Sequence, residues 1–246
     1  MQKTLTNNES DVVRLQSTSH SLEEALLYQI RELSKTDPLI GAKIGSKEIF
    51  QRLMAGMKKD GVVHIDSLLV ALGSLAGYAC QAGLRAQATA KGEPESSVLL
   101  VAGGTSDGRK YYFGEQLNKR LAESATSVWS LSAGAAQAAG CTIFPDLHEI
   151  FKRVSGAVGT ADFGTPCFPA GHSSRDIPLN YVRAMWPVLL PIIQKFCPDP
   201  EHWSILLSLS IQEAIAAGKT VIEPHIALVL VIEAAIPMSK VDITAY

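Results

Sequence analysis

The chain has 246 residues, of which 47% are hydrophobic, with 22 basic against 24 acidic side chains and a formal net charge of −2. That is enough apolar material for a sizeable core in one large domain or two small ones. The near balance of charge, with adjacent basic residues confined to isolated pairs such as Lys58-Lys59 and Lys152-Arg153, offers no basic stripe for nucleic acid and no pull toward an anionic membrane.

The N-terminus, "MQKTLTNNESDVVRLQSTSHS", is polar and lacks the apolar centre of a signal peptide. Residues 1–18 read as a flexible tail ahead of a single α-helical domain at 19–246. "SLEEALLYQIREL" then sets Ser21 three positions before Glu24, a capping-box pattern, with Leu22, Leu26, Ile30 and Leu33 on one face. A second helix begins near Ser46, carries Ile49, Phe50, Leu53, Met54 and Met57 at helical spacing, and breaks at Asp60-Gly61. Asp66 can cap a third helix running to about Ala88.

Two uncharged stretches, 67–84 and 124–145, are long enough to compare with a membrane span. Both are rich in Ser, Gly and Ala and hold Gln81 or Gln137, whereas spanning helices of about 20 residues are mostly Leu, Ile, Val and Phe. They read as central helices of a core. "GSLAG", with Gly73 and Gly77 four apart, suits a close approach of helix backbones.

"VLLVAGGTSDGRKYYFG" at 98–114 poses a choice. A strand followed by a glycine-rich turn imitates the start of a dinucleotide fold, which would make the protein an NAD(P)-dependent reductase using the loop between Gly103 and Gly108. However, the spacing is not G-x-G-x-x-G, and "KYYFG" is a poor first helical turn. A β-hairpin over about 97–114, bent at Ser106-Asp107-Gly108, fits better. Its first strand is apolar on both faces, so both faces need cover; this points to a homo-oligomer, a dimer as the simplest.

Helix resumes near Glu115 and runs, with a break near Ser124, to Gly140. "PDLHEIFKRVSGAV" starts at Pro145-Asp146, buries Leu147, Ile150, Phe151, Val154 and Val158, and lets Glu149 pair with Arg153 one turn on. Residues 159–177, "GTADFGTPCFPAGHSSRDI", have no helical period, and a structureless connection of that length is usually functional or disordered. "IPLNYVRAMWPVLLPIIQKF" follows, where Pro187 and Pro191 require a kinked helix or two pieces. Asp199 and Pro200 open the next helix and Gly218 stops it. The last, from Pro224 to before Pro237, is apolar almost all round, as befits a fold interior or a subunit interface. The fold class is mainly α: about eight helices with one β-hairpin.

The cysteines, Cys80, Cys141, Cys167 and Cys197, form no C-x-x-C pair and read as reduced thiols of a cytoplasmic protein. In the long loop, Cys167, His172 and Asp176 supply the residue types of a thiol nucleophile, its base and an orienting acid, the alternative being a Cys167-dependent hydrolase or transferase. Candidates for holding a ligand are Arg175, Tyr181, Arg183, Glu213 and Glu233. Glu233 lies in a very apolar helix, where a carboxylate needs a partner, and Lys219, Lys240, Arg183 and His225 are available. His148-Glu149 lacks a second His, no E-x-x-H spacing occurs, and neither a metal nor a cofactor is expected.

The strings "GTSDGRKYYFGEQLN", "FGTPCFPAGH", "NYVRAMWP" and "EAAIPMSKVD" resemble a group of bacterial proteins to which no activity is attached. The resemblance implies a bacterial cytoplasmic origin and transfers no site. The expected function is ligand binding or protein interaction by a soluble, self-associating protein. Its small-molecule pocket would lie between loop 159–177, the proline-bearing helix and the two C-terminal helices. No nucleic-acid or membrane partner is expected.

Overall fold

A computed structural model describes residues 22–103 and 108–243. The expected tail, the Ser21 cap and the Ser106-Asp107 bend lie outside these residues. The chain divides into two compact units whose boundary falls between Gly41 and Ala42. Within the first, residues 22–33 form α1, and the turn after it is closed by Asp37 Oδ1, which accepts from the amide of Leu39 at 3.1 Å.

Beyond α2 (Ile40–Gly56), which crosses the boundary, the second unit is built from α3 (Ile65–Ala90), a hairpin of β1 (Leu100–Ala102) and β2 (Tyr111–Phe113), and then helices. These are α4 (Glu115–Asn118), continued by a π-helical turn at Lys119–Glu123, α5 (Val128–Ala138), α6 (Leu147–Gly156), α7 (Pro178–Phe196), α8 (Trp203–Gly218) and α9 (Pro224–Met238). Among the described residues the fold is mainly α with one antiparallel hairpin, the class its periodicity predicts.

Helix α3 is the axis of the unit and packs against α7, α8 and α9. It is long and apolar enough to cross a membrane, and 94% of its most apolar window is buried inside the protein. Its small residues explain how it is enclosed. A Cβ on Gly73 would stand 2.4 Å from the carbonyl oxygen of Val231, and one on Gly77 2.0 Å from that of Ala235. Only hydrogen on those faces lets α9 lie against α3. Because α9 is surrounded by α3, α5, α6 and α7, its apolar circumference is buried on all sides.

Three local expectations change. The N-cap of α3 is His64 rather than Asp66: His64 Nδ1 accepts from the Ser67 amide at 3.4 Å and lies 2.9 Å from Ser67 Oγ. An imidazole nitrogen takes the orphan amide, and Asp66 is left to reach elsewhere. Helix α7 is one helix through Pro187 and Pro191 rather than two pieces, and both prolines are exposed, so the hydrogen bonds they forfeit fall toward solvent. Glu149 is 3.5 Å from Lys152 and does not engage Arg153, which points across to α9.

In the hairpin, Leu100 pairs with Phe113, Val101 with Tyr112 and Ala102 with Tyr111. The second edge of β2 is taken by the chain after α9. The Tyr112 amide donates to the Lys240 carbonyl at 2.6 Å, and the Asp242 amide donates to that of Lys110 at 3.1 Å. β2 is therefore central and its tyrosines are fully buried, Tyr111 against the Phe163 ring at 4.7 Å. β1 is the outer strand, and its Leu100 is 68% exposed.

Candidate functional site

The long loop ahead of α7 is held by three side chains that the helices bring to it from far away in sequence. The first is Glu233, on α9 and 4% exposed. Its Oε1 takes a charge-assisted hydrogen bond from the Arg153 guanidinium, and its Oε2 accepts from the Cys167 amide at 2.9 Å. Asp146 sets the phase of α6 by capping it, accepting from the amides of His148 at 2.8 Å and Glu149 at 3.3 Å. Ile150 and Val154 then face inward, and Arg153 emerges at the edge of the buried stripe. Arg153 is thus the cation that a carboxylate inside an apolar helix requires. The other cations are engaged differently: His225 Nδ1 lies 2.8 Å from the Ile143 carbonyl, and the Lys240 ammonium sits over the rings of Phe113 and Phe151.

The second anchor is Asp66, in the first turn of α3. Its Oδ2 accepts from His172 Nδ1 at 3.0 Å and from the Ser173 amide at 3.2 Å. A carboxylate can only accept, so Nδ1 carries the proton and Nε2 is the remaining nitrogen of the ring. The third is Ser67. Its hydroxyl accepts the Arg175 amide at 2.9 Å and turns its own proton toward His64 Nδ1. Ser174 Oγ then meets the Tyr181 hydroxyl at 3.0 Å, where α7 begins.

Two cavities remain beside the anchored loop. One, about 340 Å³, lies between α6, Cys167 and α9, with Glu149, Arg153 and Glu233 among its walls. The other, about 270 Å³, is lined by Met57, His64, Ser67, Arg175, Asp176, Tyr181 and Met185.

Of the residues singled out from sequence, the structure joins Cys167 to Glu233 and gathers Arg175, Asp176 and Tyr181 around one cavity. No hydrogen bond links His172 to Cys167, since the ring is turned to Asp66. Asp176 does not orient His172; its Oδ1 accepts from the Ile177 amide at 2.8 Å and from Asn180 Nδ2 at 2.7 Å, where the loop enters α7. Arg183 and Glu213 are half-buried on α7 and α8 and line neither cavity. Beyond Gly103, β1 returns as antiparallel β2, not as a helix whose N-terminus could hold a pyrophosphate. Among the described residues no three His, Cys, Asp or Glu side chains converge to hold a metal.

Asp66, Ser67, His64 and Arg153 are the residues that sequence reasoning did not assign to the site. Asp66 and Ser67 reach a loop 106 and 108 residues away, and Arg153 reaches Glu233 80 residues away, and nothing in the linear pattern directs them there.

The thiols differ sharply. Cys167 is exposed, whereas Cys80, Cys141 and Cys197 are buried. Burial pushes both Cys80 and Cys197 up to about 12.

No family model, curated protein or solved structure matches the chain. The geometry therefore carries the functional argument by itself. In the smaller cavity the backbone is pinned at Arg175 while its guanidinium is exposed and makes no ion pair among the described residues. Tyr181 and His64 add polar groups, and Met57 and Met185 add soft apolar walls. The lining thus sets a guanidinium, a hydroxyl and an imidazole, with the Asp176 carboxylate beside them, among thioether walls; a cation without an ion pair among the described residues suits a small anion with a short apolar body.

Proposed function

We propose that the protein binds a small organic anion, a short-chain carboxylate, in the cavity between the start of α3, the end of the long loop and α7. The observation that carries this reading is Arg175. Its main chain is fixed by Ser67, and the residue, exposed and without an ion pair among the described residues, lines a cavity of about 270 Å³. That volume is below the several hundred Å³ of drug-sized sites, so the ligand is small. Four free thiols fit a cytoplasmic protein.

Titration calorimetry with a panel of short-chain carboxylates tests the reading. At least one should bind to the full chain, Arg175→Ala should remove the heat of binding, and Tyr181→Phe should weaken it. A panel without a binder, or a binder indifferent to Arg175→Ala, would overturn it.

A second reading, self-association, is favoured by one observation. The outer strand β1 presents Leu100 and Val101 to solvent along an unpaired edge. Light scattering at high concentration tests it, and a monomer mass would refute it.

A further inference from the structure

Between α2, α3 and α8 lies a cavity of about 840 Å³, larger than either cavity beside the loop and sharing no lining residue with the site proposed above. Its walls come from the C-terminal half of α2, the start of α3 and the end of α8, with Phe50, Met54, Leu68 and Ala217 among them. The construction is specific. The chain leaving α2 is folded back by a tight turn in which Lys59 and Val62 exchange backbone hydrogen bonds of 2.9 and 3.0 Å. Asp60 and Gly61 adopt the positive φ values, 52° and 82°, that such a turn needs. Opposite, the absence of a side chain at Gly218 lets α8 close on α3: a Cβ there would be 3.0 Å from Ile65 Cδ1.

Two features indicate what this cavity takes. Val62 and Val221, both in its lining, are 65% and 75% exposed, so its apolar surface runs out to the rim. Lys58 is the only ionisable side chain in the lining, is exposed, and makes no ion pair among the described residues. The complement of an apolar trough with one cation at its edge is a molecule with one apolar chain and one anionic end.

We propose that this cavity binds a medium-chain free fatty acid, its chain between α2 and α8 and its carboxylate on Lys58. A peptide helix or a second copy of the chain would present several polar groups to a lining that offers one cation and Gln51.

Displacement of the fluorescent probe 1-anilinonaphthalene-8-sulfonate from the full-length protein tests it. Decanoate should displace the probe, decanol should do so about tenfold more weakly, and acetate should not, because chain and charge are both read. Lys58→Glu should weaken decanoate about tenfold while leaving decanol unchanged. Ala217→Trp, at an exposed position on α8, should abolish displacement by both; if that variant melts early, Lys58→Glu still decides. Arg175→Ala should leave decanoate binding intact, which separates this site from the one above. Equal affinity for decanoate and decanol, indifference to Lys58→Glu, or probe release accompanied by a dimer mass in light scattering would each overturn the proposal.

Discussion

The backbone amide of Cys167 donates to the carboxylate of Glu233 at 2.9 Å across 66 residues of sequence. The contact explains why a carboxylate persists inside the most apolar helix of the fold. One oxygen is neutralised by Arg153, and the other orders a loop that has no secondary structure of its own. Glu233→Ala should therefore lower the unfolding free energy by about 2–3 kcal/mol, below the full value for a buried pair because Arg153 is partly solvated. Urea titration measures this. The same variant should speed alkylation of Cys167, and an unchanged rate would show that the loop is held without Glu233.

Native labelling should find one reactive thiol. Iodoacetamide near neutral pH should modify Cys167 alone, since Cys80, Cys141 and Cys197 are buried and burial pushes Cys80 and Cys197 up to about 12. All four should react in urea. Mass spectrometry of the two samples decides, and a second fast thiol in the native protein would contradict the placement of these side chains.

Lys240 makes stability depend on pH with an unusual sign. It is 3% exposed, and its ammonium has two phenyl rings for company, Phe113 at 5.0 Å and Phe151 at 5.5 Å. Burial lowers its pKa from 10.5 to about 8. Between those values the unfolded chain binds more protons than the folded one, so stability rises with pH across that window. Below about 8 both states are charged, and the folded state bears the full cost. Cys80 and Cys197 act oppositely above 9, their ordinary value, because their folded forms stay protonated. The Lys240 contribution should thus show between pH 8 and 9 as a gain that Lys240→Met lacks. That variant should be more stable than the wild type at pH 7 by on the order of 2 kcal/mol. Thermal melts of both proteins from pH 7 to 9 test the sign.

Two glycine substitutions should move stability in opposite directions. Gly77→Ala places a methyl group where the Ala235 carbonyl oxygen is 2.0 Å away, so α3 and α9 must separate. A loss of about 3 kcal/mol is expected. Gly134, inside α5, has nothing within 4 Å of the corresponding position. Gly134→Ala should stabilise by about 0.5–1 kcal/mol through the better helix former. Chemical denaturation of the pair controls for the chemistry of the change.

Local rules carried the architecture a long way. Helical spacing of apolar residues, the Asp146 cap, the break at Ser124 and the composition of 98–114 are short-range facts, and the helices and hairpin follow them, except that α2 begins at Ile40 rather than near Ser46 and α9 runs past Pro237 to Met238. Gly73 and Gly77 announced a close helix contact for the same reason, since the lack of a side chain is visible in the letter itself. At the site, Glu233 was legible as a carboxylate in need of a partner, and loop 159–177 as a long connection without helical period.

Which groups answered those needs was decided only by the tertiary structure. Asp66 and Ser67 lie in the first turn of α3, yet their side chains are directed to the loop, and Arg153 on α6 is directed across to Glu233 on α9. The α3–α9 contact and the phase of α6 set those directions. Burial decided the rest: Lys58 and Lys240 are the same residue type in the sequence, but one stands in water at the rim of an apolar cavity and the other is enclosed between rings. Composition and periodicity specify the elements because those forces act between near neighbours. Partners and pKa values depend on distances that exist only after the helices have packed.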